Sequence, residues 1–81
     1  MEREEIIARV NQTLISDFEI GPEKLNATAH LFEDLELDSL DAVDMLVHLE
    51  DNFHIKLDME KFSEIRKLDD VYNLIQSMSQ S

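Results

Sequence analysis

Residues 34–53, which read DLELDSLDAVDMLVHLEDNF, contain the pattern from which the rest of the chain is interpreted. Apolar residues in the second half of this stretch recur at intervals of three or four, the spacing that places them on one face of an α-helix. The residues on that face are Ala42, Leu46, Leu49 and Phe53. The spacing predicts a helix with one buried side.

The start of this helix is marked by its polar residues. Asp38 and Ser39 are both types favoured at helix N-caps, and Asp41 and Asp44 lie where acidic side chains interact favourably with the positive end of the helix dipole. We therefore expect Ser39 at a junction between a loop and a helix, with its side chain near solvent.

Upstream of this stretch, residues 2–17 form a second helical pattern, and the Gly21-Pro22 pair is expected to end it. Its apolar stripe consists of Ile6, Ile7, Val10, Leu14 and Ile15. The segment from Gly21 to Leu37 has no sustained period and is predicted to be a long, partly ordered loop. Its apolar residues, expected to anchor it to the core, are Leu25, Ala29, Leu31, Phe32 and Leu35.

Downstream, residues 55–57 are predicted to be extended, and Phe62 lies in a segment long enough for one or two helical turns. A last helix is predicted from Leu68, and the tail at residues 77–81 is expected to fray. Its stripe consists of Leu68, Val71, Tyr72 and Ile75. The predicted fold is an all-α small four-helix bundle, with three longer helices, a short third helix and a long loop between the first two. Residues 1–81 are expected to form a single domain.

Composition limits the partners of the chain. Nineteen acidic residues against seven basic ones give a net charge of −12, which repels nucleic acids and anionic membranes and favours proteins with basic patches. There is no cysteine, so no disulfide or thiolate nucleophile is available. The acidic N-terminus and the lack of a long apolar run predict a cytoplasmic protein that does not insert into membranes.

Neither catalysis nor a dedicated metal site is indicated. Ser39 is flanked by carboxylates, but a serine nucleophile needs a base and an oxyanion hole, and no histidine spacing points to either. Five carboxylates lie within eleven residues, yet their spacing does not match a calcium loop. The set is Asp34, Glu36, Asp38, Asp41 and Asp44. A solvated acidic face is the main interpretation, and weak binding of divalent cations stays open as an alternative.

Taken together, these residues resemble the signature of acyl carrier proteins, and the resemblance extends over nearly the whole chain. The matching residues are Asp34-Leu35, Asp38-Ser39-Leu40-Asp41, Val43 and Leu49-Glu50. The resemblance implies that a phosphopantetheinyl transferase attaches 4′-phosphopantetheine from coenzyme A to the oxygen of Ser39. The thiol of this arm would hold acyl groups as thioesters, so the chain would be a carrier and not an enzyme.

The resemblance also implies a recognition surface on the helix that follows Ser39, where acidic residues steer basic partners and apolar residues give brief contact. Its residues are Asp38, Leu40, Asp41, Val43, Asp44, Val47, Glu50 and Asp51. The implied partners are the transferase, a ketosynthase, a ketoreductase, a dehydratase and acyl-loading enzymes, with the chain a monomer between transient complexes.

A cavity that shelters the acyl chain is implied inside the bundle. Its residues are Leu46, Leu49, Phe62, Ile65, Leu68, Val71 and Ile75. Glu36-Leu37 and Phe62 depart from the pattern of common fatty acid carriers. The run LDSLDAVD at residues 37–44, together with Val47-His48-Leu49-Glu50, more closely resembles freestanding type II carriers of specialised pathways, such as aryl polyene or polyketide biosynthesis, with a fatty acid carrier as the near alternative. An alternative from another class is an unmodified acidic helical module that binds a basic protein.

Overall fold

A computed structural model of the chain describes residues 2–79, except for the side chains of Met59 and Ser79. The helices are α1 (Arg3–Phe18), α2 (Ser39–Phe53), α3 (Met59–Phe62) and α4 (Leu68–Ser79), with a 3-10 turn at Pro22–Lys24. Because the described residues contain no strand and the third helix is a single turn, the predicted all-α bundle is confirmed.

The core lies where α1 packs against α2 and α4. The predicted apolar stripes supply it, because each helix turns its periodic residues inward. The buried residues from these three helices include Ile6, Val10, Leu14, Ala42, Leu46, Leu49, Phe53, Leu68, Val71, Tyr72 and Ile75. Ile7 and Ile15, assigned to the same stripe of α1, are only half-buried.

The end of α1 differs from the prediction. The helix stops at Phe18 because Glu19 adopts a left-handed conformation, with φ of 55°, and its N–H donates to the carbonyl of Leu14. This turn directs Ile20 into the core, where it is 7% exposed. The prediction that Gly21-Pro22 ends the helix is therefore wrong, since both residues follow a cap that is already complete.

The loop between α1 and α2 is ordered by backbone pairing with the segment before α4. The N–H of Leu31 donates to the carbonyl of Arg66 at 2.9 Å, and the N–H of Leu68 donates to the carbonyl of Ala29 at 3.0 Å. These bonds satisfy backbone groups that burial of Leu31 removes from water. They also place the end of the loop beside the chain that leads into α4.

Polar side chains join α1 to α4 along a line that we call the α1–α4 seam. The Arg3 guanidinium donates to Asn73 and Gln76 at 2.8 Å each and to Asp69 at 2.6 Å. The Tyr72 hydroxyl donates to the side-chain carbonyl of Asn11. The seam therefore consists of Arg3, Asn11, Asp69, Tyr72, Asn73 and Gln76.

The environment of Tyr72 in the seam perturbs its pKa. Burial raises the pKa of Tyr72 above its ordinary value of 10.0, and the hydrogen bond to Asn11 acts in the opposite direction. The phenol is therefore neutral and able to donate throughout the physiological range.

Helix α4 continues through Ser79, so residues 77–79 of the predicted tail are helical, and fraying of this turn stays a prediction. The final turn stays helical while Met78 packs against the core. The last two residues of the predicted tail lie outside the described residues.

Candidate functional site

Ser39 is the first residue of α2, and the backbone around it is fixed by a reciprocal pair of hydrogen bonds. The Asp38 carboxylate accepts from the N–H of Asp41 at 2.8 Å, and the Asp41 carboxylate accepts from the N–H of Asp38 at 3.3 Å. This is a capping box, with aspartate in place of the usual glutamate or glutamine at the second position. Asp38, not Ser39, is thus the N-cap.

The Ser39 side chain is left exposed by this arrangement. Its hydroxyl makes no hydrogen bond to another group of residues 2–79. The neighbouring acidic residues Asp38 and Asp41 engage each other and leave the serine oxygen accessible. An unengaged hydroxyl at the positive end of a helix suits a group that carries a phosphate.

The segment that leads into Ser39 contains a residue with an unusual backbone conformation. Glu36 has φ of 58°, a left-handed conformation that costs a side-chain-bearing residue about 1–2 kcal/mol. It lets the next residue, Leu37, turn inward to 7% exposure, where the Leu37 N–H donates to the carbonyl of Leu31 at 3.2 Å. The strained residue therefore positions the chain for its entry into α2.

A pocket of about 240 Å³ opens beside Ser39, and we call it the Ser39 pocket. Its wall is almost wholly apolar and comes from three segments: the loop before α2, the first turns of α2, and the region of α3. The lining residues are Leu31, Phe32, Ser39, Ala42, Val43, Phe62, Ser63 and Ile65.

Phe32 was expected to anchor the loop in the core, and that expectation is wrong. Its side chain is 41% exposed and forms part of the wall of the Ser39 pocket. The turn at residues 31–34 buries Leu31 and leaves the adjacent Phe32 outside. A residue of the site was thus missed, because loop residues follow no period that would reveal which side they face.

The seven residues predicted to form an acyl cavity divide into two groups. Phe62 and Ile65 line the Ser39 pocket. The other five are buried in the core and do not belong to the described lining of the pocket; they are Leu46, Leu49, Leu68, Val71 and Ile75. A sheltering role for the whole set stays a prediction.

The residues predicted for partner recognition include an exposed apolar row on α2. Leu40 is 75% exposed, Val47 48% and Val43 41%. Asp44 and Asp51 are exposed beside them. An apolar strip within an acidic surface is thus available on the helix that begins at Ser39.

Glu50, which is among the residues predicted for partner recognition, forms a hydrogen bond within the chain. Its carboxylate accepts from the N–H of Leu57 at 2.8 Å, and the residue is half-buried. The side chain thereby fixes the loop that follows α2. Contact of Glu50 with a partner stays a prediction.

A larger pocket, of about 470 Å³, lies on another side of the start of α2. Its wall is polar and includes Asp17, Glu19, Glu36 and Asp41, together with Lys24. Within residues 2–79, no three carboxylate or imidazole groups come together to hold a metal ion. No helix in that range is long and apolar enough to cross a membrane.

The histidines take part in local structure. His48 Nδ1 lies 2.9 Å from the Asp17 carboxylate, and its ring packs edge-on against Phe18. His30 Nδ1 accepts from the backbone N–H groups of Phe32 and Glu33 at 3.3 Å each. These interactions join α1 to α2 and shape the loop before Ser39.

A small helical bundle that presents one unengaged serine hydroxyl at the start of an acidic helix has the features of a carrier domain. The family model described as the phosphopantetheine attachment site matches residues 5–75. Acyl carrier protein 2 of Ralstonia nicotianae is 36% identical, with 96% of each chain covered. The acyl carrier protein of Thermosynechococcus vestitus is 31% identical, with 93% of each covered.

A solved structure agrees with these similarities. The crystal structure of an acyl carrier protein from Thermotoga maritima superposes with a TM-score of 0.83 at 27% identity, covering 96% of this chain and 91% of that one. The chain therefore belongs to the acyl carrier protein family. Its members are carriers and not catalysts, and their attachment domain carries 4′-phosphopantetheine. They interact with biosynthetic enzymes and with phosphopantetheinyl transferases.

Ser39 and the first turn of α2 fit a 4′-phosphopantetheine arm. The phosphodiester of an arm needs an accessible hydroxyl and nearby donors, and the first turn of α2 supplies both at Ser39 and its neighbours. An attached arm would supply a thiol, which this cysteine-free chain lacks.

Proposed function

We propose that this chain carries acyl groups as thioesters on a 4′-phosphopantetheine arm attached to Ser39 Oγ. The observation that carries the proposal is the exposed, unengaged hydroxyl of Ser39 on the first residue of α2, at the wall of an apolar pocket. The family of the chain supports the same assignment.

In the attachment step, Ser39 Oγ bonds to the β-phosphorus of coenzyme A while a base of the transferase accepts the hydroxyl proton. The phosphoanhydride bond breaks, and adenosine 3′,5′-bisphosphate leaves with the electron pair. The capping box of Asp38 and Asp41 holds the backbone of Ser39 in place, so the oxygen is presented without rearrangement of α2. The chain contributes the acceptor atom and its position, and the transferase contributes the catalysis.

Docking of partners is assigned to the exposed row Leu40, Val43 and Val47, together with Asp44 and Asp51. The net charge of −12 favours basic patches on the transferase, a ketosynthase, a ketoreductase, a dehydratase and acyl-loading enzymes. We include Phe32 in this surface because it is exposed at the wall of the same pocket. We also propose that the chain is a monomer between complexes and acts in the cytoplasm.

For the pathway, we propose type II polyketide or aryl polyene-like assembly, with fatty acid biosynthesis as the near alternative. Support comes from the resemblance of residues 37–44 and 47–50 to carriers of specialised pathways, and from Glu36-Leu37 and Phe62, which depart from the pattern of common fatty acid carriers. A reconstitution with fatty acid synthesis enzymes tests this choice. Failure to elongate on this carrier is expected, and efficient formation of long saturated chains on it would contradict the specialised assignment.

The attachment is tested by incubating the chain with coenzyme A and a broad-specificity phosphopantetheinyl transferase and then measuring its mass. The wild type is expected to gain one arm, and Ser39→Ala is expected to gain none. Ser63→Ala is the matched control, because Ser63 is also exposed and lines the same pocket. It should gain the arm as the wild type does.

Two results would contradict the attachment. One is an unmodified wild type under several broad-specificity transferases, which would favour the unmodified acidic module. The other is a full arm on Ser39→Ala, which would move the attachment to another residue.

A further inference from the structure

We propose that Phe62 limits the cargo of this carrier to compact apolar acyl groups by closing the inner end of the Ser39 pocket. The inference rests on the proposed attachment at Ser39. It names the class of acyl group that the pocket shelters and the residue that sets its size.

Phe62 has contacts on two sides. Its ring lines the Ser39 pocket, and the residue is also a member of the buried core, with 7% exposure. Its backbone is fixed, because its N–H donates to the carbonyl of Asp58 at 2.9 Å and its carbonyl accepts from Ile65 at 3.1 Å. Leu31, Ala42 and Ile65 also line the pocket and belong to the core. Phe62 has the largest side chain of the four, so it takes up the most space at this wall.

Other core residues do not reach the pocket. Leu46, Leu68, Val71 and Ile75 are buried and do not belong to its described lining. The resulting volume of about 240 Å³ is below the range of about 300–1,000 Å³ that is usual for small-molecule sites. A long acyl chain would have to displace the Phe62 ring or remain partly in water.

The rest of the wall indicates the chemistry of the group. The lining is almost wholly apolar, and the hydroxyl of Ser63 is already used, because it donates to the carbonyl of Glu60 at 2.7 Å. The pocket therefore offers little hydrogen bonding to a polar acyl group. Apolar methylenes gain most from burial there.

The test loads the chain with acetyl, hexanoyl and dodecanoyl arms, using a transferase and the corresponding acyl coenzyme A, and measures two quantities. One is the rate at which hydroxylamine cleaves the thioester, and the other is the shift in melting temperature on acylation. In the wild type, cleavage is expected to slow from acetyl to hexanoyl, by up to about fourfold for each sheltered methylene. Dodecanoyl should give no further slowing and no further rise in melting temperature.

Phe62→Leu should open the inner end of the pocket, so that a dodecanoyl thioester is cleaved at least about fourfold more slowly than in the wild type, equivalent to one more sheltered methylene. Phe53→Leu is the matched control, because Phe53 has the same 7% exposure and lies outside the described lining. It should keep the profile of the wild type. Ala42→Val, which narrows the pocket from α2, should speed cleavage of the hexanoyl thioester. If Phe62→Leu fails to fold, Phe62→Ile is measured in its place and should slow dodecanoyl cleavage in the same way.

The proposal is overturned if the wild type protects dodecanoyl progressively better than hexanoyl, if folded Phe62→Leu keeps the wild-type profile, or if Phe53→Leu changes it equally. An unchanged hexanoyl rate in Ala42→Val also overturns it. The mass after loading separates these failures from failure of the attachment itself. A chain that accepts no arm contradicts the proposed function, whereas a loaded chain with the wrong length profile contradicts only the role of Phe62.

Discussion

The α1–α4 seam and the Ser39 pocket lie in one small bundle but are stabilised differently. Along the seam, specific polar bonds, such as those from Arg3 and Tyr72, connect two long helices over a fully buried apolar face. Around the pocket, α3 is a single turn, and the wall consists of apolar side chains from three segments. The seam thus joins two helices through named polar bonds, while the pocket leaves about 240 Å³ of unfilled space beside Ser39.

The largest expected effect separates the two regions by the same truncation in each. Ile75→Ala removes a fully buried side chain behind the seam and should lower the free energy of unfolding by about 4 kcal/mol. Ile65 lines the Ser39 pocket, and Ile65→Ala should lower the free energy of unfolding by about 2 kcal/mol, because the space left by the side chain joins an existing opening. Urea denaturation followed by circular dichroism measures both. Equal costs would contradict the proposed difference in packing.

Removal of the N-cap of α2 is expected to have a smaller effect. Asp38→Ala should lower the free energy of unfolding by about 1 kcal/mol, because the N–H of Asp41 loses its acceptor. Asp38→Asn keeps a capping oxygen without the charge and should stay close to the wild type in stability. If both variants lose the same amount in urea denaturation, charge and not capping would be the contribution of Asp38.

Tyr72 gives the seam a dependence on pH. Because burial raises its folded-state pKa, the unfolded chain ionises first as pH rises past about 10. The contribution of the neutral phenol to the free energy of unfolding is fully present below that pH, and it is lost as pH rises through the pKa of Tyr72 in the folded state. Tyr72→Phe should cost about 1 kcal/mol at neutral pH, through loss of the bond to Asn11, and should flatten the alkaline loss of stability. Parallel alkaline unfolding curves for the two proteins would refute this role.

The smallest expected effect is a gain in stability in the loop before α2. Glu36→Gly should raise the free energy of unfolding by about 0.5–1 kcal/mol, because glycine adopts a positive φ without the steric cost. Glu33→Gly is the control, since Glu33 is exposed and has no positive φ, and it should be neutral or destabilising. Thermal denaturation compares the two. A loss of stability in Glu36→Gly would show that the side chain contributes more than its backbone strain costs.

The sequence predicts the helical part of this molecule well. Intervals of three and four place Leu46 and Leu49 on a buried face, and the acidic residues next to Ser39 indicate where α2 begins. Periodicity works here because one face of each helix must be buried. The position of Ser39 at the start of α2 follows directly.

The helix ends, the loop positions and the pocket wall depend on contacts that no local sequence pattern predicts. The left-handed turn at Glu19 ends α1 before the only glycine, and the bond from Leu31 to Arg66 joins segments far apart in sequence. The exposure of Phe32 and the bond from Glu50 to the Leu57 amide arise from loop geometry. Side chains in loops and at caps are positioned by the assembled fold, so the pocket wall emerges only in three dimensions.

The most direct test of the account compares backbone amide NMR spectra of the chain before and after a transferase adds the arm. The largest changes are predicted at Ser39 and Leu40, with smaller ones along the Ser39 pocket, while Arg3 and Asn73 of the α1–α4 seam stay unchanged. An unaltered Ser39 amide after a confirmed gain of mass, or changes as large at the seam as at the start of α2, would contradict it.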